Sequence, residues 1–163
     1  MSKLHQRRIA NELRSIDRKP SKEFVVLPSE KYNEWYFMVI GSPDTVYHDG
    51  HYLGKIIFSK DYPKTPIDFV MLTPSGRFNI NKKICLSNSG FHPEKWSMSW
   101  TVNNSLIGFI SIMNDDKDID GVNHMLESKE TREKMCKESF TYNIEKHPMI
   151  YADIVEKLSK RDT

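Results

Sequence analysis

The run NKKICLSNSGFHPEKW, residues 81–96, places a cysteine and a histidine among lysines, serines and asparagines. Cys85 has no apolar stretch around it to bury it and no neighbouring cysteine to bridge it. A thiolate is both a good nucleophile and a good leaving group, so a loop cysteine can carry an acyl group as a thioester. The same thiol can also serve as a small buried hydrophobe. The run by itself leaves both readings open. His92 lies seven residues beyond Cys85. It suits a cysteine–histidine hydrolytic pair, a general base toward water, an amine or a hydroxyl, or a turn-stabilising residue before Pro93. A cysteine-phosphatase loop needs arginine six residues after the cysteine, and Phe91 stands there. Cys136, between Met135 and Phe140 in a helical run, reads as packing. The two cysteines are 51 residues apart and the six histidines are scattered, so no metal-ligand spacing is present. There is no glycine-rich phosphate loop. Neither a metal nor a cofactor is expected.

A reactive loop must be held by regular elements. Ser2 can cap a first helix whose apolar stripe is Ile9, Leu13 and Ile16. Proline in RKPSKE ends it. EFVVLP, NEWYFMVIG, HYLGKIIFS and FVMLT read as four short strands. The second has apolar residues on both sides, Trp35, Phe37 and Val39 against Tyr36, Met38 and Ile40. The third puts Tyr52, Gly54, Ile56 and Phe58 on one face. SPDTVYHDG and KDYPKTPID between them are turn and loop chemistry. Residues 73–100 then show almost no periodicity, a loop length that is uncommon in a compact domain and usually functional. Trp96 and Trp100 predict that this loop packs onto the domain. Thr101 caps a predicted helix with the stripe Val102, Leu106, Ile110 and Met113. An acidic turn, DDKDIDG, follows. Residues 128–143 form a charged helix, and a last helix begins at Pro148 with the stripe Ile150, Ile154 and Leu158. The order predicts one α+β domain over residues 1–163: an N-terminal helix, a four-stranded antiparallel meander, a long ordered loop and C-terminal helices.

The chain's 163 residues allow one core but not comfortably two. With 38% hydrophobic and 28% charged residues it reads as globular and soluble. A net charge of +2 without long basic runs argues against nucleic acid as a partner. Lys3, Arg7, Arg8, Arg14, Arg18, Lys19 and Lys22 form either a solvated helix face or a docking surface for an acidic partner. The polar start, MSKLHQRRIANEL, is no secretory leader, and no apolar run approaches a membrane span. An intracellular, cytoplasmic location is therefore expected.

TPSGRFNINKKICLSNSGFHPEKWSMSW resembles the active-site segment of ubiquitin-conjugating enzymes. DYPKTP resembles their YPxxPP loop, and the order of elements is similar over about residues 3–158. The resemblance is closest to the tail-anchored subfamily of the endoplasmic reticulum. Those members carry a Thr-Pro-Asn-Gly-Arg-Phe run and a lengthened segment between cysteine and tryptophan, as here between Cys85 and Trp96. ESFTYN, near residue 140, resembles their third helix.

The resemblance implies that Cys85 receives ubiquitin from the activating enzyme as a thioester. Cys85 then donates it to a substrate lysine, or to a hydroxyl, with a RING-type ligase, in endoplasmic-reticulum-associated degradation. The implied partners are ubiquitin, the activating enzyme, the ligase and protein substrates, with the enzyme itself a monomer. Ser75 stands where the subfamily's motif has asparagine, so either Ser75 fills the oxyanion or loop role, or Asn79 or Asn81 supplies the amide, or the reaction needs less help. Asp118 or Asp120 is implied to face the cysteine, and His92 or Glu94 to assist a hydroxyl acceptor. Lys64 replaces an aromatic residue of the proline-rich loop and Met98 replaces a proline. With Arg7 and Arg8 they make up the implied ligase and activating-enzyme surface, of unusual selectivity. The subfamily's membrane tail is not in this sequence. Three other readings remain: a silent ubiquitin-binding variant, a carrier of another ubiquitin-like modifier, and a hydrolase using Cys85 and His92.

Overall fold

The computed structural model describes residues 2–86, 93–117 and 120–161. Helix α1 spans Lys3–Arg18, and Ser2 caps it by accepting the His5 N–H at 3.1 Å. Its buried face is wider and more polar than the sequence stripe: His5 and Glu12 are enclosed with Ile9 and Ile16, while Leu13 is only half-buried. Glu12 can be buried because it finds donors, as described below.

Strands β1 (Phe24–Pro28), β2 (Glu34–Ile40), β3 (His51–Ile57) and β4 (Asp68–Met71) form one antiparallel sheet in sequential order. Phe37 lies opposite Val26 on one side and Gly54 on the other, and Met38 lies opposite Val25 and Leu53. This register sends alternate side chains to two separate cores. Phe24, Trp35, Phe37, Val39, Tyr52, Ile56 and Phe69 face α1 and helix α2 (Val102–Met113). Val25, Met38 and Leu53 face Tyr151 and Ile154 of helix α4 (Pro148–Arg161). A one-residue slip would exchange the two sets, so the register is fixed by burial on both faces. The two-sided apolar pattern of the second strand is thus explained by a helix on each face.

Helix α3 (Lys129–Lys146) docks differently. Its buried residues are Arg132, Cys136, Ser139 and Asn143, mostly polar. Ser139 Oγ accepts the His51 N–H at 3.1 Å, and Asn143 Nδ2 donates to the His51 carbonyl at 2.9 Å. Thr73 Oγ1 donates to Asn143 Oδ1 at 2.6 Å and accepts the Leu53 N–H at 2.9 Å. Ser139 and Asn143 are four residues apart, so they share one helix face and complete hydrogen bonds at the end of β3. Cys136 is buried with its thiol toward the His48 carbonyl, as packing predicts.

The stretch 73–100 is less irregular than its sequence suggests. Isolated bridges pair Met71 with Ile80, Val70 with Lys83 and Phe78 with His124. A short 3-10 helix covers Pro93–Lys95. Phe78 anchors the stretch by stacking on Phe109 of α2 at 5.0 Å. Trp96 donates its indole N–H to the Pro63 carbonyl at 2.7 Å and packs against Trp100, in line with the expected packing of this loop.

Candidate functional site: a cysteine held by its main chain

Ile84 and Leu86 are 0% and 2% exposed, and Cys85 between them is half-buried. The Ile84 N–H donates to the Phe69 carbonyl at 3.0 Å, which ties the stretch to β4. With both neighbours enclosed, Cys85 is the one of the three that reaches the surface.

A second segment, residues 120–127, runs beside the first. The Cys85 N–H donates to the Val122 carbonyl at 3.1 Å, and the Cys85 carbonyl lies 2.8 Å from His124 Nε2. The Asn79 N–H donates to Asn123 O, the Met125 N–H to Arg77 O and the Glu127 N–H to Gly76 O, each at 2.9 Å. Asn123 turns with a φ of 65°, which asparagine tolerates better than most residues, and its Nδ2 donates to the Lys83 carbonyl at 2.7 Å.

Two arginines hold the α2–α3 connection in place. Arg77 is 0% exposed and donates to the carbonyls of Ile112 and Asp115, both at 3.1 Å, and to that of Met125 at 3.4 Å. Ile112 lies in the last turn of α2, so a cation meets carbonyls at the negative end of a helix. Arg132 of α3 donates to Glu127 O at 3.0 Å and to Asp116 Oδ1 at 3.1 Å. It also donates to Tyr47 Oη at 3.3 Å. Burial raises the Tyr47 phenol above its ordinary pKa against the opposing pull of Arg132, so it faces the guanidinium as a neutral hydroxyl.

The three candidates for an amide or hydroxyl donor are placed differently. Ser75 is enclosed, and its Oγ accepts the Arg77 N–H at 3.1 Å, which serves the turn around Gly76. Gly76 has a φ of 77°, and a Cβ there would sit 2.7 Å from the Arg132 side chain, so only glycine fits. Asn79 lies against Asn123 of the segment that borders Cys85, its Nδ2 3.4 Å from Asn123 Oδ1. Asn81 is exposed in a left-handed corner with a φ of 62°. Asp120 is exposed at the start of the segment that borders Cys85. His92 and Asp118 lie outside the described residues. Among the described residues, no group of three or more His, Cys, Asp or Glu side chains is assembled for a metal.

The second implied surface is brought together across the chain. Leu4, His5, Arg8, Tyr62, Pro63, Lys64 and Met98 line a groove of about 690 Å³. Leu4 and Met98 are 75% and 53% exposed, and Lys64 is exposed beside them. Arg8 is not a free surface cation. Its guanidinium donates to the Met98 and Trp100 carbonyls, both at 3.1 Å, and to Glu12 at 3.0 Å. Arg8 therefore fastens the 98–100 loop to α1 and shapes the groove from within. Arg7 is exposed on α1 but does not line the groove.

Sequence reasoning passed over Arg77, Val122, Asn123 and His124. Val122 acts through its main chain, which no side-chain pattern announces. Gly121 and Asn123, both turn formers, were the available signal.

The family model described as ubiquitin-conjugating enzyme matches residues 8–148. Ubiquitin-conjugating enzyme E2 6 of Schizosaccharomyces pombe is 36% identical over 150 residues, covering 90% of this chain and 62% of that protein. Ubiquitin-conjugating enzyme E2 J2-like of Dictyostelium discoideum is 40% identical over 111 residues, 68% of this chain and 65% of that protein. The chain thus spans slightly under two thirds of the length of these curated relatives. The solved structure of human ubiquitin-conjugating enzyme E2 G1 superposes with a TM-score of 0.58 at 28% identity, covering 66% of this chain and 92% of that one. The family model spans most of the chain, and relatives above 30% identity match more than two thirds of it, so the chain belongs to the ubiquitin-conjugating enzyme family.

Proposed function

We propose that Cys85 is the residue on which this protein carries ubiquitin. In the first step the Cys85 thiolate attacks the carbonyl carbon of the thioester on the activating enzyme. A C–S bond forms to Cys85, the C–S bond to the donor cysteine breaks, and that cysteine leaves as a thiolate. In the second step an amine nitrogen or a hydroxyl oxygen attacks the same carbonyl. The acceptor loses its proton to solvent or a nearby base, and the Cys85 thiolate departs. No metal or cofactor is needed for either step, because the energy is already in the thioester. The activating enzyme, not this chain, consumes ATP.

One observation carries this reading. Cys85 is half-exposed between two buried neighbours, and both of its main-chain polar groups are hydrogen-bonded. That suits a thiol which must meet two large partners in turn and keep one orientation toward each. The Leu4–Met98 groove is assigned to a RING-type ligase, with α1 also serving the activating enzyme. Resemblance to the subfamily of the endoplasmic reticulum assigns the protein to degradation there, at the cytosolic face, as a monomeric carrier. No helix among the described residues is long and apolar enough to cross a membrane.

The test is a charging assay with activating enzyme, ubiquitin and ATP. A band one ubiquitin heavier that reductant removes, and that resists reductant in Cys85→Ser, is expected. No band while a control enzyme charges normally would overturn the reading in favour of a silent variant or another modifier. Repeating the assay with other ubiquitin-like proteins separates those two. Hydrolysis of a simple thioester substrate without ATP would instead support a cysteine hydrolase.

A further inference from the structure

We propose that His124 is a positioning residue for Cys85, acting as a neutral imidazole of one tautomer between Arg77 and the Cys85 carbonyl. The proposal rests on the reading of Cys85 as the thioester residue.

The ring meets Cys85, Arg77, Phe78 and Gly121. Nε2 lies 2.8 Å from the Cys85 carbonyl oxygen. Nδ1 lies 3.3 Å from the Arg77 guanidinium nitrogen Nη1. The ring meets Phe78 edge to face at 5.2 Å. Gly121 borders it so closely that a Cβ there would stand 2.6 Å from the imidazole. Glycine at 121 therefore makes the room that the ring occupies.

The tautomer follows from the partners. An arginine guanidinium only donates, so the nitrogen facing it must offer a lone pair. A carbonyl only accepts, so the nitrogen facing it must carry the proton. His124 thus accepts from Arg77 at Nδ1 and donates from Nε2 to Cys85. A second hydrogen on Nδ1 would point at the guanidinium and remove the acceptor. Arg77 is in turn anchored on the Ile112 and Asp115 carbonyls. A continuous line of hydrogen bonds runs from the end of α2 through Arg77 and His124 to the main chain of the reactive residue.

Without His124 the Cys85 carbonyl loses this partner, and the main-chain hold on the cysteine is weakened although its Val122 bond remains. The thiol then samples more orientations, and transfer slows because fewer are productive. Misplacement by about 1 Å typically costs on the order of a hundredfold in such steps, so a loss of about tenfold to a hundredfold is expected.

The experiment compares wild type, His124→Leu and His124→Gln. Leucine fills the space without a polar atom. Glutamine keeps an N–H for the carbonyl and an oxygen for the guanidinium. Thermal denaturation first identifies variants that fold. In ring-nitrogen NMR, wild-type His124 is expected to show one protonated and one unprotonated nitrogen, with the proton on Nε2. Amide hydrogen exchange at residues 84–86 is expected to quicken in His124→Leu and to recover in His124→Gln. Discharge from the Cys85 thioester to free lysine should follow the same order. Equal exchange in all three proteins, a proton on Nδ1, or a glutamine variant as impaired as the leucine variant would overturn the assignment. If wild type fails to charge at all, the function proposed for Cys85 fails, and the exchange and NMR results still decide the role of His124.

Discussion

The carboxylate of Glu12 in α1 accepts the main-chain N–H of Val102, the first residue of α2, at 2.7 Å. One helix therefore supplies a side-chain partner to the start of another, 90 residues later in the chain. The same carboxylate accepts from Arg8 and from the phenol of Tyr62, and the phenol is pushed well above its ordinary pKa by burial and then by the Glu12 charge. Glu12 thus joins α1, the proline-rich loop and α2 at one point. Next to it, Arg8 holds the Met98 and Trp100 carbonyls, so the groove assigned to the ligase is built on this junction.

Glu12→Ala is expected to destabilise the fold by about 2 to 3 kcal/mol, because buried donors lose their acceptor. Glu12→Gln, which keeps one carbonyl oxygen, should cost less. Urea denaturation measures both. Equal stability of wild type and the alanine variant would show that the junction contributes nothing.

Arg77→Met should be among the more damaging substitutions, at about 3 kcal/mol or more. Methionine fills much of the volume but removes the guanidinium donor from the carbonyls of Ile112, Asp115 and Met125, of which Ile112 keeps the Asp115 N–H. Hydrogen exchange should report loosening in residues 112–115 and 121–127 ahead of the sheet. Uniform loosening across the sheet would contradict this assignment.

Lys64→Glu and Met98→Asp are expected to leave charging of Cys85 within about twofold while lowering ligase-stimulated discharge by about tenfold, the equivalent of 1.4 kcal/mol. Both side chains are exposed, so stability should change by less than about 0.5 kcal/mol. A pair of variants that discharge like wild type would remove the groove from the ligase surface.

Stability should fall on acidification below about pH 6.5, for a reason separate from the site. Burial lowers the pKa of His51 from 6.5 against the opposing charge of Asp49. Burial, followed by the charge of Lys55, also lowers His147 from 6.5. Between the depressed folded values and 6.5 the unfolded chain binds protons that the folded chain does not. Stability is then fully present above 6.5 and is lost as the pH falls through that window. His51 Nδ1 lies 2.8 Å from the Tyr151 hydroxyl, so this loss loosens α4 from β3. Denaturation curves from about pH 7.5 to 5 should show a shallower slope in His51→Gln than in wild type. Identical slopes would exclude His51 as a contributor.

Ile154→Ala is expected to cost about 2 to 4 kcal/mol. The side chain is 0% exposed and packs with Val25, Met38 and Leu53 on the outer face of the sheet. A loss under about 1 kcal/mol would mean that α4 is a loosely attached cover rather than part of the core.

Local patterns made much of the fold readable. Ser2 and Thr101 cap the helices they were expected to cap, Pro148 begins the last one, and the four strands lie where alternation placed them. Caps and alternation work over a few residues, so the sequence contains them entire. The two-sided apolar pattern of the second strand is legible in sequence, and the helices that cover both faces of the sheet account for it. Motif resemblance singled out Cys85 and led to the family.

Contacts over long sequence distances were not readable. Nothing in the sequence singles out Glu12, whose partners Tyr62 and Val102 lie 50 and 90 residues away. Arg8, a docking candidate in the sequence, also binds two loop carbonyls 90 and 92 residues away, which no local pattern shows. The polar face of α3, with Ser139 and Asn143 buried, carries no hydrophobic stripe for periodicity to find. His124 looked like one scattered histidine of six. Its relation to Cys85 exists only because a fully buried Arg77 pins the α2–α3 connection beside the cysteine loop. A sequence states which side chains can donate, accept or react. Which donor meets which acceptor is decided by packing, because a buried polar group is tolerable only where the fold brings it a partner.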